Sequence, residues 1–504
     1  MSNHLFDAIR AAARGDAPFI RTDGGRTWTY DDALSLSGRI ASAIDALGIR
    51  PGDRVAVQVD KSPEALILYL ACIRSGAVYL PLNTAYTLAE LDYFIGDAEP
   101  RLVVVSSSSR ESVDKIAKPR GAIVETLDPD GTGSLLDLAR DEQADFVDAS
   151  RAADDLAAIL YTSGTTGRSK GAMLTHGNLL SNAETLRDYW RVTADDRLIH
   201  ALPIFHTHGL FVATNVTLLA GASMFLLPKF DPDEVLSLMP QATMLMGVPT
   251  FYVRLLQNPR LDRAAVANMR LFISGSAPLL AETHVEFRKR SGHAILERYG
   301  MTETNMNTSN PYDGERIAGT VGLPLPGVTV RVTDPATGAE LPPEETGMIE
   351  IKGPNVFKGY WRMPEKTAAE FTGDGFFISG DLGKIDGRGY VHIVGRSKDL
   401  VISGGYNIYP KEVEGEIDQL EGVAESAVIG VPHPDFGEGV TAIVVCKPDA
   451  ALDEKTILGA LQSRLARYKQ PKRILFADDL PRNTMGKVQK NVLRQKYAGL
   501  YEGT

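Results

Sequence analysis

The sequence predicts an α/β protein. It expects a large N-terminal part of parallel sheets with helices on their faces, a small antiparallel sheet or barrel, and a small C-terminal α+β part. Residues 28–100, and again those after about 190, alternate amphipathic helical spacing with short apolar runs, the pattern of a parallel sheet covered by helices. From about residue 320, short strands follow closely with Gly and Pro between them, which reads as antiparallel. Beyond residues 395–411 lies a compact mix of helix and strand of roughly 105 residues, an ordinary domain size.

Taken in order, residues 30–47 have helical spacing, 54–59 read as a strand, 63–75 as a helix, and 77–80 and 102–105 as strands. Residues 156–160 form a short apolar run, and the stretch from Thr175 through Leu179 and Leu180 to Trp190 reads as a capped helix. Strands are expected at 197–202, 223–227, 244–247 and 271–274, and then at 328–333, 348–352, 384–386 and 390–394. The C-terminal part should hold helices at 411–420 and 454–467 and strands at 424–430 and 440–446. Residues 209–228 carry no formal charge, but Asn215, two threonines and the Gly221-Ala-Ser break divide them into a helix-like and a strand-like half. That suits a buried core element better than a membrane span.

Residues 161–171, Tyr-Thr-Ser-Gly-Thr-Thr-Gly-Arg-Ser-Lys-Gly, fall between the apolar run and the capped helix. Gly164, Gly167 and Gly171 let the backbone turn its N–H groups to one side, and Thr162, Ser163, Thr165, Thr166, Ser169 and Lys170 add donors. This reads as a phosphate cradle rather than a flexible Gly/Ser/Thr linker, which rarely sits between a strand and a helix; it is not a Walker A motif, because no Gly-Lys-Ser/Thr follows the required spacing.

The 504 residues are 44% hydrophobic and 23% charged, an ordinary globular balance, and the formal net charge of -11 disfavours nucleic acid or an anionic membrane as partner. Two cysteines provide neither a disulfide framework nor a cysteine-rich metal site. With no basic head or long apolar core at the start, a reducing cytoplasm is the expected compartment.

Five motifs stand in order: Tyr161–Gly171, Tyr299-Gly-Met-Thr-Glu303, Ser379-Gly-Asp381, Gly395-Arg396-Ser-Lys398-Asp, and Pro481-Arg-Asn-Thr-Met-Gly-Lys487. In these the chain resembles, from Trp28 to about Lys490, the acyl-adenylate-forming superfamily of acyl-CoA synthetases, peptide-synthetase adenylation domains and beetle luciferases. Within it the likeness is strongest to malonyl-CoA (methylmalonyl-CoA) synthetases. The resemblance implies two steps: a carboxylate attacks the α-phosphorus of Mg-ATP to give an acyl-adenylate and pyrophosphate, and the thiol of coenzyme A then displaces AMP. It also implies an N-terminal adenylate-forming domain at 1–396, a hinge at 397–399 centred on Lys398, and a C-terminal lid at 400–504.

By the same resemblance, Thr162, Ser163, Gly164, Thr165, Thr166, Gly167 and Lys170 hold the β- and γ-phosphates. Thr302 and Glu303 meet the α-phosphate and Mg²⁺, with Thr166 a second metal candidate. Ser274, Gly275, Ser276 and Ala277 wall the adenine, with Glu297 and Tyr299 beside them, while Asp381 accepts the ribose hydroxyls and Arg396 reinforces that side. Lys487 enters for adenylation and bridges carboxylate and phosphate oxygens. For thioester formation the loop carrying Gly404, Gly405 and Tyr406 replaces it and lines the thiol tunnel. The basic cluster Arg467, Lys469, Lys472 and Arg473 is either a seat for the CoA phosphates or a solvated face. Acetylation would remove the Lys487 charge, which makes a lysine acetyltransferase and deacetylase candidate partners.

Arg298 is the departure from relatives acting on aryl or fatty acids, where this place commonly carries a glycine or small residue. An arginine in the acyl pocket can hold a second carboxylate bidentately, or else it pairs with a structural carboxylate. With His206, Thr207, His208 and Met306 as the remaining lining, malonate and then methylmalonate fit. His206, His208 and His200 match no metal-site spacing. The alternatives are a synthetase for a medium-chain or aryl monocarboxylate, a luciferase-like monooxygenase, which needs a large apolar pocket, a carrier-loading adenylation enzyme, and a non-catalytic nucleotide binder.

Overall fold

The computed structural model describes residues 2–162, 169–403, 406–448, 450, 452–483 and 486–502. The proposed site residues Ser163, Gly164, Thr165, Thr166, Gly167, Gly404 and Gly405 lie outside them.

Among the described residues two large sheets dominate. The first runs Gly359–Tyr360, Lys170–Thr175, Leu156–Thr162, Val78–Pro81, Arg54–Gln58, Leu102–Val105, Ile123–Thr126. The second runs Leu323–Pro324, Asn305–Ser309, Leu296–Met301, Leu271–Ser274, Met244–Gly247, Arg197–His200, Ser223–Leu226, Pro18–Thr22, Thr27–Thr29. Both are parallel in the middle; the first carries antiparallel strands at one margin and the second at both. Helices cover them: Pro63–Ser75 is buried along its whole length, so its sequence is apolar almost all round. The third sheet, Thr329–Thr333, Gly347–Lys352, Phe377–Ile385 and Val391–Arg396, is antiparallel as expected. The C-terminal sheet pairs Val423–His433 with Gly437–Cys446 over its own apolar core, which includes Val428, Val440 and Ile457. No helix among the described residues is long and apolar enough to cross a membrane.

Three local expectations are corrected. The phosphate-loop candidate does not run from strand to helix. It joins two antiparallel strands, because Lys170–Thr175 pairs back on Leu156–Thr162, with Leu160 opposite Ala172 and Thr162 opposite Lys170. Ala172 and Leu174 are buried there, and the capped helix begins only at His176. The short strand expected at 384–386 is the tail of Phe377–Ile385, so Asp381 lies within a strand rather than in a turn. The helix expected at 454–467 ends at Leu461. Its spacing of Ile457, Leu461 and Leu465 is helical, yet Leu465 reaches the same core from outside the helix, and the chain turns to bring Arg473–Phe476 parallel to Gly437–Cys446.

The uncharged stretch after Gly209 divides as expected, but its helical half opens as a wide π-helical turn, His208–Thr214, before Asn215–Leu219 and the strand Ser223–Leu226. The helix His176–Tyr189 is started by a capping box in which Thr175 and Asn178 satisfy each other's backbone N–H groups. Thr175→Ala should therefore cost about 1 kcal/mol of stability, read as a lower urea midpoint at unchanged slope.

Candidate active site

The three N-terminal sheets meet around one group of polar side chains, Tyr299 bonding Asp381 and Glu303 lying beside Thr162 and Tyr360, and Lys487 of the C-terminal part comes close to Arg396. Leu271–Ser274 ends in the loop Gly275-Ser276-Ala277, and the neighbouring strand Leu296–Met301 carries Glu297, Arg298 and Tyr299. Successive residues of a strand point to opposite faces, so Glu297 and Arg298 are both buried without pairing with each other. Glu297 accepts a hydrogen bond from the Leu279 backbone N–H at 3.2 Å, and burial pushes its pKa up to about 8.

Arg298 is 2% exposed. Its Nε and Nη2 have no hydrogen-bond partner, and no carboxylate among the described residues pairs with it. Burial pulls its pKa down to about 9, which leaves it a cation at neutral pH. The guanidinium lies against Gly275, where a Cβ would stand 2.4 Å from Cζ, so a larger residue at 275 would push the guanidinium aside. Around it, Thr207 Oγ1, His208 Nε2 and Ser274 Oγ are likewise buried without partners. Buried polar atoms without partners are uncommon in native proteins. Burial first, and then the Arg298 charge, hold His206 at a pKa of about 4 and His208 well below the ordinary histidine value, so both rings are neutral. Ser276, in left-handed backbone geometry at φ 72°, places its Oγ 3.3 Å from His208 Nδ1. Met306 is buried, and its side chain meets the backbone of Gly300 where a Cβ would otherwise stand.

On the nucleotide side Asp381 is buried, receives the Tyr299 hydroxyl at 2.5 Å and pairs with Arg396 Nε at 2.5 Å. Arg396 stands directly across the sheet from it. One contact to each oxygen leaves the carboxylate further lone pairs to accept with.

Thr302 and Glu303 occupy the turn between two antiparallel strands. Its carboxylate is buried, near Thr162 Oγ1 at 3.5 Å and the Tyr360 hydroxyl at 3.0 Å. Burial raises its pKa, and no lysine or arginine among the described residues forms an ion pair with it. A hard divalent cation shared with phosphate oxygens fits such a donor. Lys170 is buried over the Tyr360 ring, 4.0 Å from its centroid, and its ammonium pairs with Glu370 at 3.2 Å. Tyr360 and Glu370 escaped sequence reasoning because nothing local marks them; they arrive through tertiary packing.

Lys487 reaches the same site from the far end of the chain. Its side chain is exposed, yet like-charged Arg396 first, and then desolvation, bring its pKa down to about 8, with Asp381 and Lys398 also close. Gly486 adopts φ 75° against Thr250, which seats the lysine loop on the N-terminal part. Lys398 lies in the short helical turn Ser397–Asp399, whose Asp399 pairs with Arg494. Tyr406 is exposed, stacked 4.6 Å from Tyr468.

Residues 8–361 match the family model described as AMP-binding enzyme, and residues 412–487 match the AMP-binding enzyme C-terminal domain. The chain is 40% identical to a feruloyl-CoA synthase of an Amycolatopsis species, with 94% of this chain and 95% of the relative covered. It is 34% identical to a malonate–CoA ligase of Arabidopsis thaliana, covering 98% and 90%. The crystal structure of ATP-bound MatB from Rhodopseudomonas palustris is 64% identical, covers both chains fully and superposes with a TM-score of 0.97. The apo form of the same protein, also 64% identical, superposes at 0.87, so that difference is one of conformation.

A pKa near 8 has a direct kinetic consequence if the Lys487 ammonium serves the first step. The value of kcat/KM for ATP in acyl-adenylate formation should fall about tenfold per pH unit above pH 8, and Lys487→Arg should carry the falling limb upward. A profile flat from pH 7 to 9.5 would remove Lys487 from that role.

Proposed function

The chain belongs to the AMP-binding enzymes, as an AMP-forming acyl-CoA ligase with ATP and CoA as substrates, and we propose that its acid is a short dicarboxylate, malonate first and methylmalonate close behind. Arg298 carries this assignment. A buried, charged, unpaired guanidinium is costly to maintain, and a carboxylate that takes two of its N–H groups in parallel compensates it. The neutral His206 and His208 add no competing positive charge, and their ring nitrogens with Thr207 Oγ1 orient the same acid. The similarity to a malonate–CoA ligase supports this reading. The similarity to a feruloyl-CoA synthase favours an aryl monocarboxylate instead, but an aryl tail would leave Arg298 desolvated and unpaired.

In the proposed mechanism the acid's second carboxylate docks on Arg298 while the first faces the α-phosphorus. In-line displacement of pyrophosphate is mainly positioning and charge compensation. Lys170 and Thr162 hold the outer phosphates, Asp381 holds the ribose, and Lys487 bridges the attacking carboxylate and the α-phosphate. Glu303 would hold Mg²⁺, which would supply further charge compensation to the phosphates. The C-terminal part then turns about Lys398, withdrawing Lys487 and presenting the loop at Tyr406 to the thiol of CoA.

ATP–pyrophosphate exchange over malonate, methylmalonate, succinate, acetate, butyrate, benzoate and ferulate should be led by malonate or methylmalonate. Arg298→Ala should lose that exchange by about 10²-fold or more, the size of an unmet buried charge. Gly275→Ala, which displaces the guanidinium, should raise the KM for the diacid while the protein stays folded. Exchange led by ferulate or benzoate and indifferent to Arg298 would keep the ligase and discard the dicarboxylate.

The two half-reactions should also separate. Lys487→Ala should lose adenylation by about 10²–10³-fold while thioester formation from supplied acyl-adenylate survives better. Lys398→Pro should block one half-reaction selectively. Equal loss of both in either variant would count against the assigned role.

A further inference from the structure

The groups assigned to phosphate and cation come from different places. Lys170 opens a strand of the first sheet, and Glu303 sits in a turn at the margin of the second. Tyr360 touches both. Its ring lies under the Lys170 ammonium at 4.0 Å, and its hydroxyl oxygen stands 3.0 Å from Glu303 Oε1 and 2.6 Å from Glu370 Oε2. Glu370 in turn holds Lys170 at 3.2 Å and Lys366 at 2.7 Å through its other oxygen.

The segment bearing Tyr360 is stitched to both sides. Phe357 donates its backbone N–H to the Glu303 carbonyl at 2.7 Å, and Trp361 donates to the Gly171 carbonyl at 2.7 Å. Gly359 and Tyr360 pair with Met173 and Ala172, and Thr367 Oγ1 accepts the Tyr360 backbone N–H at 2.9 Å. Gly359, at φ 131°, has no room for a Cβ against Thr367, so the segment admits little play.

We propose that Tyr360 and Glu370 are a positioning pair that sets the cation-binding carboxylate of Glu303 and holds Lys170 until the terminal phosphates of ATP take it over. A phenol has one proton for two carboxylates, so it serves one at a time. Glu370 is already compensated by two lysines, whereas Glu303, with no ion pair among the described residues, has its own backbone N–H and the hydroxyls of Tyr360 and Thr162 beside it. Glu370 occupies the ammonium that the phosphates need, so it is a resident competitor for Lys170. The pair touches neither the acid nor the reacting carbonyl. The proposal rests on the assignment of Glu303 and Lys170 to the cation and the phosphates, and is independent of which acid is used.

The test is calorimetric titration of ATP into the full-length protein without acid or CoA, once in EDTA and once over a series of Mg²⁺ concentrations. Tyr360→Phe keeps the ring under Lys170, so its affinity for ATP in EDTA should stay within twofold of wild type. The tightening produced by Mg²⁺ should shrink about tenfold, the size of one lost charge-assisted hydrogen bond. Glu370→Gln should bind ATP and pyrophosphate several-fold tighter in EDTA, because Lys170 is released. Equal weakening of Tyr360→Phe with and without Mg²⁺ would reduce the residue to packing and overturn the proposal. Unchanged or weaker pyrophosphate binding by Glu370→Gln would overturn the competitor role, and this decides the matter even if Tyr360→Phe fails to fold. Wild-type ATP affinity that ignores Mg²⁺ and is unchanged in Glu303→Gln would remove the Glu303 assignment and this proposal with it, while leaving the acid-exchange result untouched.

Discussion

A guanidinium buried without a carboxylate beside it is the constraint to which the acid side of the site is adjusted. Arg298 lies against Gly275, which has no side chain to push it aside, and it stays unpaired because its neighbour Glu297 points to the other face of the same strand. Its charge helps keep His206 and His208 neutral, as the Lys487 ammonium does for His206, so the two rings offer neutral hydrogen-bonding atoms beside the guanidinium. A monoanion with an apolar tail would leave that charge uncompensated. A short diacid brings its own counter-charge, and the specificity proposed here follows from that difference.

On the side proposed for the nucleotide, Asp381 and Lys170 already have charged partners, while Glu303 has none among the described residues. Asp381 is held by Arg396 and Tyr299, and Lys170 by Glu370, so each group has a definite position before any ligand arrives. Such pre-organisation suits phosphoryl chemistry, where positioning and charge compensation do most of the work. Lys487 joins from the other part of the chain through the seat of Gly486 on Thr250, and the ATP-bound relative superposes more closely than its apo form.

The legible parts of the fold were those with strong local signals. The helix Pro63–Ser75 was readable to the residue because Ser62 caps it, Pro63 fits its first position and Gly76 ends it in left-handed geometry. The strands Leu102–Val105, Met244–Gly247 and Leu271–Ser274 were readable because buried parallel strands are continuous apolar runs. Lys170–Thr175 was missed because its glycine and lysine belong, by composition, to the loop, while its pairing partner is what makes it a strand. The helix after Glu454 was read too long because the spacing of Ile457, Leu461 and Leu465 cannot say where the chain must turn back.

For the site the division is similar. The sequence by itself determined the chemical inventory: the hydroxyl-rich phosphate loop, the carboxylates Glu303 and Asp381, Lys487 far along the chain, and an arginine where an apolar tail would need space. Residue type and spacing are local properties, and those motifs needed no packing to be recognised. Only the tertiary structure decided which charges are compensated. Whether Arg298 pairs with a protein carboxylate, whether its histidine neighbours are neutral, and that Tyr360 and Glu370 stand between Lys170 and Glu303 depend on distances across strands far apart in the chain. Electrostatic energy in a low-dielectric interior is set by those distances and by burial, and neither is written in the order of the residues.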